Sequence, residues 1–219
     1  MILALLIDRS LHNVLLALLV AASASFKSDF PAAKVKMDEN GACIVSATSF
    51  NARGLGNTPE AAARAFLKRY AADFGITDDQ KLLLQKSGSK GKLRFERQID
   101  GDPVFDGDIE VTVNGADSVT RVKAEPVPKE SQGSFKLNKQ QAIDAAVAAT
   151  SEVARESHPK AVKGWRLQGL ELKRVWQVEM IAGTPPNEWR EYIDAQDGSL
   201  LAREPVGQQT KLKKRDLAL

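Results

Sequence analysis

The sequence predicts an α+β fold of two small domains, each with one helix packed on an antiparallel sheet. Three observations lead to this prediction. Apolar residues recur with helical spacing in two segments, near residues 59–75 and 138–153. Each of these segments is followed by others in which apolar and polar residues alternate, as expected for strands. Residues 125–134, between the two sets, are rich in proline, glycine and charge, which is typical of a linker.

The first helix has clear start and stop signals. Thr58 can cap it, Pro59 stands in the first turn where its missing N–H costs nothing, and Gly75 ends it. Between these signals, one apolar stripe follows the helical period and consists of Ala63, Phe66, Leu67, Tyr70 and Phe74. Burial of each large member stabilises by about 1.5–3 kcal/mol, so we expect a sheet to cover the stripe.

Alternation with a period of two starts at Lys81 and continues to Ala124. It predicts strands near residues 82–84, 93–99, 109–113 and 119–124, with a turn at Asn114-Gly115. One helix laid on this meander completes the first predicted domain.

An acidic bend interrupts the meander at Asp100, Asp102, Asp106 and Asp108. It does not match an EF-hand calcium loop, because the sixth position counted from Asp100 is Phe105 and not the required glycine. Asp100-Gly101 is instead a hairpin turn signal, and Asp106-Gly107 predicts a second bend, with Val104 and Phe105 carried inward. We therefore favour a hairpin over a weak surface cation site, and both over a catalytic acid pair.

The second domain repeats the order of helix and strands. Asn138 and Gln141 predict a capping box, and the stripe behind them consists of Ala142, Ile143, Ala145, Ala146, Ala149 and Val153. A strand is predicted near residues 170–180, where Arg174 interrupts the apolar parity, and a return strand near residues 189–195. Residues 196–199 predict a turn into Leu200.

Composition argues against several classes of function. The net charge of +3 comes from 31 basic and 28 acidic residues spread along the chain, which does not favour nucleic-acid binding. One cysteine, Cys43, and two histidines, His12 and His158, are too few for an internal disulfide or a histidine-rich metal site. The zinc-protease motif HExxH is absent from the sequence. We expect no catalysis and no cofactor or metal, and interpret the basic run at residues 211–215 as a solvated tail.

The N-terminus predicts an export signal. An uninterrupted apolar run covers residues 14–22, and Ala22-Ser23-Ala24 fits the small-x-small pattern of a cleavage site. The run is shorter than the roughly 20 residues that a membrane-spanning helix needs. We expect residues 1–25 to be a cleaved signal peptide and the protein to be secreted or periplasmic, with no stable membrane span. A retained anchor and an ordinary buried helix are the alternatives.

Residues 94–115, RFERQIDGDPVFDGDIEVTVNG, resemble the core motif of the fungalysin/thermolysin propeptide (FTP) domain. The matching positions are Gln98, Gly101, Pro103, Val104, Phe105 and Gly107. Asp102 and Asp106 depart from the family pattern, in which apolar or small residues are commoner at these positions. The helix that ends near Gly75 resembles the helix that precedes this motif in the family.

The second domain, with WQVEM at residues 176–180 and WREYIDAQDGSLL at residues 189–201, is similar to a PepSY domain, which has a cystatin-like fold. In the family, FTP and PepSY domains occur in this order in the pro-region of thermolysin-like metallopeptidases. The resemblance implies an FTP-like domain at residues 26–124, a linker at 125–134, a PepSY-like domain at 135–204 and a tail at 205–219, without the peptidase domain.

The resemblance implies a non-catalytic protein that binds and inhibits a thermolysin-like zinc metallopeptidase, in cis or in trans, and acts as a chaperone for its folding. It implies a cleft-proximal segment of Arg203, Glu204, Pro205, Val206, Gly207, Gln208 and Gln209. Trp176 and Trp189 are candidate interface anchors, although either also fits the core of its own domain. Two alternatives stay open: a truncated or remnant pro-region of a peptidase precursor, and an envelope module that holds peptides or other proteins.

Overall fold

The computed structural model describes residues 26, 28–37, 43–46, 50, 56–87, 91–115, 118–125, 127, 131–150, 153, 157–168 and 171–206. The chain divides into two compact units, called here unit 1 (residues 1–101 and 106–129) and unit 2 (residues 102–105 and 130–219). Each contains an eleven-residue helix and a sheet, so the fold is α+β as predicted. The predicted signal peptide, His12 and the basic run lie outside the described residues.

Unit 1 combines helix α1, Pro59–Arg69, with an antiparallel sheet. Its strands are β1 (Lys34–Met37), β2 (Cys43–Ser46), β3 (Gln80–Ser87), β4 (Lys92–Ile99), β6 (Ile109–Asn114) and β7 (Ser118–Ala124), while β5 (Asp102–Phe105) belongs to unit 2. The order across the sheet is β1-β2-β7-β6-β4-β3. Strands β3, β4, β6 and β7 coincide with the predicted alternating segments. The four-residue strands β1 and β2 were not predicted, because so short an alternation carries little signal.

Helix α1 begins where the sequence predicts. The Thr58 hydroxyl accepts a hydrogen bond from the backbone N–H of Ala61 at 3.2 Å, and Pro59 occupies the first turn. The α-helix ends at Arg69, and a 3₁₀ helix, Ala72–Phe74, extends the stripe to Gly75. Gly75 has a φ of 60°, a left-handed conformation that glycine adopts without steric cost. All five residues of the predicted stripe are buried.

An aromatic cluster forms much of the core of unit 1. Ring centroids of neighbouring members lie between 4.9 and 6.2 Å apart, in tilted or edge-to-face arrangements that aromatic pairs prefer. The members are Phe26, Phe30, Phe50, Phe66, Tyr70 and Phe74. The helical pattern identified the last three members. The first three lie outside the periodic segments, so pattern analysis could not place them.

The acidic bend turns the chain at both of its Asp-Gly pairs. Asp100 and Gly101 have φ values of 54° and 83° between β4 and β5, and Asp106 has a φ of 63° after β5. Aspartate is one of the few side chains that tolerates this region of backbone space. Asp108 forms an ion pair with Arg94 on β4. Within the described ranges, no group of three or more His, Cys, Asp or Glu side chains could hold a metal ion.

Unit 2 combines helix α2, Lys139–Ala149, with a mixed sheet. Its further strands are β8 (Ser131–Gln132), β9 (Lys160–Gln168), β10 (Glu171–Ala182), β11 (Asn187–Asp194) and β12 (Leu200–Pro205). The order is β5-β9-β10-β11-β12, and the pairs from β9 to β12 are antiparallel. Strand β5 pairs in parallel with β9, and β8 pairs in parallel with β10, whereas the sequence predicted antiparallel pairs only.

A glycine permits the close approach of β5 to β9. A Cβ atom at Gly164 would lie 2.5 Å from the ring of Phe105 and 2.7 Å from the carbonyl oxygen of Pro103, so no larger residue fits without movement. Val104 and Phe105 pair with Trp165 and Arg166. Four residues of the segment predicted as the first domain therefore join the sheet of unit 2.

Helix α2 starts with the predicted capping box. The Asn138 side chain accepts from Gln141 N at 3.0 Å, and the Gln141 side chain accepts from Asn138 N at 2.9 Å. Its apolar side contributes Ala146 to a core cluster whose other members are Ala161, Val178, Met180 and Ile193 of the sheet. Val153, which was included in the helical stripe, lies beyond the helix and forms an isolated β-bridge with Ala182. Among the helices described, none is long and apolar enough to cross a bilayer.

Tyr70 provides a titration test of the unit 1 core. Its hydroxyl donates to the Asp29 carboxylate at 2.7 Å, and burial followed by this hydrogen bond raises the pKa of Tyr70 to about 12. The raised pKa means that the folded state favours the neutral phenol. The stability that Tyr70 contributes is therefore complete below pH 10 and is lost as the pH rises towards about 12.

We expect a 13Cζ NMR titration of labelled tyrosine to show a Tyr70 midpoint near 12. The chain has two tyrosines, so loss of one resonance in Tyr192→Phe assigns the spectrum. Asp29→Ala should lower the Tyr70 midpoint, and Asp144→Ala, an exposed change on helix α2, should leave it unchanged. A Tyr70 midpoint near 10 in the unaltered chain would contradict the described burial.

Candidate functional site

The segment predicted to face a peptidase starts inside the sheet of unit 2. Arg203, Glu204 and Pro205 are the last residues of β12 and pair with Glu191, Arg190 and Trp189 of β11. The backbone N–H of Val206 donates to Glu188 O at 2.8 Å and continues this pairing by one residue. Gly207, Gln208 and Gln209 lie outside the described residues. The first part of the segment is therefore a fixed strand.

One face of this strand pair carries an ion pair whose carboxylate is buried. Glu191 is 0% exposed, and its Oε1 accepts from Arg203 Nε at 3.1 Å and from the hydroxyl of Thr150 at the end of α2. The guanidinium of Arg203 also lies 4.6 Å from the ring centroid of Trp189. Removal of Arg203 would leave the buried Glu191 carboxylate without a cation, and removal of Glu191 would leave the partly buried Arg203 guanidinium without an anion.

The opposite face carries a second ion pair. Arg166 of β9 donates to Glu204 of β12 at 2.5 Å, and its guanidinium lies 3.6 Å from the ring centroid of Tyr192 on β11. The ring of Phe105, from the FTP-like motif, packs against the same Tyr192 with centroids 5.7 Å apart. Arg166 therefore links the motif strand β5 to the C-terminal strand β12.

Strand β12 is attached mainly by polar contacts. None of its six residues is fully buried, and Leu200 at its start is 40% exposed. Apolar burial therefore contributes less here than in β10, where Leu172, Val175 and Val178 are fully buried. The turn before β12 is also polar, because the Asp197 carboxylate accepts from Ser199 N at 2.8 Å. That hydrogen bond lowers the pKa of Asp197.

The two tryptophans predicted as anchors occupy different places. Trp189 lies at the β11–β12 pair, half-buried, with its indole N–H donating to Ala182 O at 3.2 Å. Trp176 is also half-buried, but its indole donates to Leu137 O at 3.1 Å and its ring packs against Phe135. The structure thus brings Trp189 together with the C-terminal segment and uses Trp176 in the packing around helix α2.

The six motif residues divide between the two units. Gln98 is on β4 of unit 1, where its side chain donates to Glu96 at 2.9 Å. Pro103, Val104 and Phe105 are on β5 of unit 2, and Val104 is buried there. Gly101 and Gly107 are the glycines of the two bends on either side of β5. Only the β5 part of the motif therefore reaches the neighbourhood of the C-terminal strand.

The side chains that anchor β12 were not identified from sequence. Glu191 lies at an inward position of the predicted strand, and a charge at such a position is a signal that a partner is needed. Arg166 and Tyr192 had no such signal, because their roles depend on which strands are neighbours.

Fold and site together define an α+β chain whose C-terminal strand β12 is anchored by an ion pair on each face.

No family model and no curated protein matches the chain. Among solved structures, it is similar to the YpeB C-terminal domain of Bacillus megaterium, with 12% identity and a TM-score of 0.38, over 85% of this chain and 95% of that one. It is also similar to a candidate lipoprotein of Clostridium difficile 630, with 13% identity and a TM-score of 0.22, over 73% of this chain and 99% of that one. At these values the similarities carry no inference about function.

Proposed function

We propose that the chain is a pro-region-like protein that acts outside the cytoplasm, where it binds and inhibits a thermolysin-like zinc metallopeptidase and assists its folding. The resemblance of residues 94–115 to the FTP motif supports this proposal. The observation that carries it is the C-terminal strand: Arg203 to Pro205, the first residues of the segment proposed to contact the peptidase, are held in the sheet beside Trp189.

Inhibition of this kind needs binding and no chemistry of the chain's own. A segment that lies in the peptidase cleft excludes substrate, and a partner that binds only the folded peptidase stabilises that fold by mass action. A covalently linked pro-region has an effective concentration on the order of mM. A separate chain lacks this advantage and needs a Kd of about 1 nM, or about −12 kcal/mol, from an interface of roughly 1,600 Å².

The test is hydrolysis of a peptide substrate by a thermolysin-like enzyme in the presence of the full chain. We expect the rate to fall with a midpoint at nanomolar to low-micromolar chain, while electrophoresis shows the chain intact, which separates inhibition from competition by a digested protein. We also expect Val206→Asp to weaken inhibition by roughly tenfold or more, because it adds a charge within the proposed docking segment. Val162→Asp, at a position 49% exposed on β9, is the matched control and should have no effect.

Unchanged hydrolysis at micromolar chain, against every thermolysin-like peptidase of the same cell, would reject inhibition. A refolding assay examines the chaperone role separately: the yield of active peptidase after dilution from denaturant should rise when the chain is present. If both assays are negative, an envelope module that binds other proteins becomes the better hypothesis.

A further inference from the structure

Strand β12 is held from both sides by residues that the sheet brings together from two other strands, β9 and β11. Arg203 reaches Glu191 on the face covered by α2, and Glu204 reaches Arg166 on the other face. Successive residues of a strand point to opposite faces, so two adjacent charges of opposite sign are each paired on their own side. We call these two ion pairs the β12 clamp.

Each ion pair of the clamp is better shielded from water than a typical surface ion pair. Glu191 is fully buried and also accepts from Thr150, while the Arg166 side chain is 17% exposed and its guanidinium lies over the ring of Tyr192, itself 1% exposed. Exposed pairs contribute little because water competes for both partners. Here burial limits that competition, and the Arg166 side chain packs on the ring of Tyr192.

We propose that the β12 clamp fixes the register of residues 203–206, the described part of the segment proposed to bind the peptidase, and so determines how tightly these residues hold the peptidase. This inference rests on the proposed function. Arg166 and Glu191 are positioning residues in it: they act through β12 and need not touch the peptidase. The physical reason is preorganisation, since a segment already fixed at one end loses less conformational freedom on binding.

The clamp also gives the family motif a role in this positioning. Phe105 packs on Tyr192, and Gly164 allows β5 to lie against β9 next to Arg166. The motif strand therefore supports the side chain that holds Glu204.

Arg166→Met tests the clamp with little loss of packing, because the methionine stem can still cover Tyr192. Glu204→Gln breaks the same pair from the other side. Lys173→Met is the matched control. It removes a positive charge from the β10 residue that pairs with Arg166, and Lys173 contacts Asp194 of β11 at 3.8 Å, outside the two ion pairs of the clamp. Two measurements are made on each chain: amide hydrogen exchange along β12, and the inhibition constant for a thermolysin-like peptidase.

We expect Arg166→Met and Glu204→Gln to speed exchange in β12 by about tenfold or more and to raise the inhibition constant by a similar factor, with β9 and β10 protected as before. Lys173→Met should change neither measurement. Unchanged exchange in both variants overturns the clamp, and faster exchange with an unchanged inhibition constant overturns its positioning role while leaving the proposed function intact. Failure of the unaltered chain to inhibit removes the proposed function and the positioning role together, and is recognised before any variant is made.

Discussion

Replacing Arg97 with methionine is expected to destabilise unit 1 by about 3 kcal/mol, a large share of the stability of a small domain. Arg97 is 0% exposed on β4, and its guanidinium donates to three backbone carbonyls at 2.9–3.0 Å: those of Phe74, Gly75 and Glu125. These contacts join the end of the 3₁₀ helix to the chain after β7. Methionine would fill most of the volume and satisfy none of the carbonyls.

Two effects oppose each other at Arg97. Burial of its charge is costly, and this burial lowers the pKa of Arg97 to about 10. Its removal relieves that cost but leaves three carbonyl groups in need of donors, at about 1–3 kcal/mol for each one that stays buried. Backbone carbonyls cannot be exchanged for apolar groups, so we expect the loss of donors to outweigh the relief. Lysine, with a single ammonium group, should recover only part of the stability.

The loss of stability in Arg97→Met is measured by urea denaturation, monitored by far-UV circular dichroism. Hydrogen exchange across β4, β6 and β7 measures the same loss strand by strand. Arg94→Met on the same strand is the control, because Arg94 is exposed and its ion pair with Asp108 should be worth at most about 1 kcal/mol. All three tryptophans belong to unit 2, so tryptophan fluorescence reports that unit separately. An Arg97→Met effect no larger than that of Arg94→Met would show that the three carbonyls have other donors.

The parts of the fold that local patterns specify were predictable from sequence. Helix α1 and helix α2 start at their predicted caps, Thr58 and Asn138, and the alternating segments form β4, β6 and β10. These features depend on residues close together in the chain. The parallel pairing of β5 with β9 depends instead on residues about 60 positions apart, and a four-residue strand offers no periodic signal for its neighbour.

Charged residues at inward strand positions show why the site was harder to predict than the fold. Arg97, Arg174 and Glu191 each occupy inward positions of strands whose pattern is otherwise apolar. The pattern shows that each side chain points inward, but not what it meets: three carbonyls for Arg97, the rings of Trp165 and Phe135 for Arg174, and Arg203 for Glu191. A charge at an inward position is therefore a useful signal of a tertiary contact, although the partner becomes known only from the arrangement of the strands.

Arg203→Met is expected to destabilise unit 2 by about 3 kcal/mol, whereas the double variant Arg203→Met with Glu191→Met should lie within about 1 kcal/mol of the unaltered chain. The single change leaves the carboxylate of Glu191 fully buried without its cation. The double change removes both charges and places two apolar side chains beside Trp189. A buried pair can therefore matter greatly when broken and little when replaced as a whole.

The midpoint of urea unfolding, followed by tryptophan fluorescence, gives the free energies for a double-mutant cycle. We expect a coupling of at least about 2 kcal/mol between Arg203 and Glu191. Arg190 and Glu179 form the control pair: they join β11 to β10 at 2.8 Å, with side chains 33% and 34% exposed, and their coupling should not exceed about 1 kcal/mol. Equal coupling in the two pairs would mean that Glu191 is accessible to water in solution. That result would contradict the role given to the Arg203–Glu191 pair in the β12 clamp.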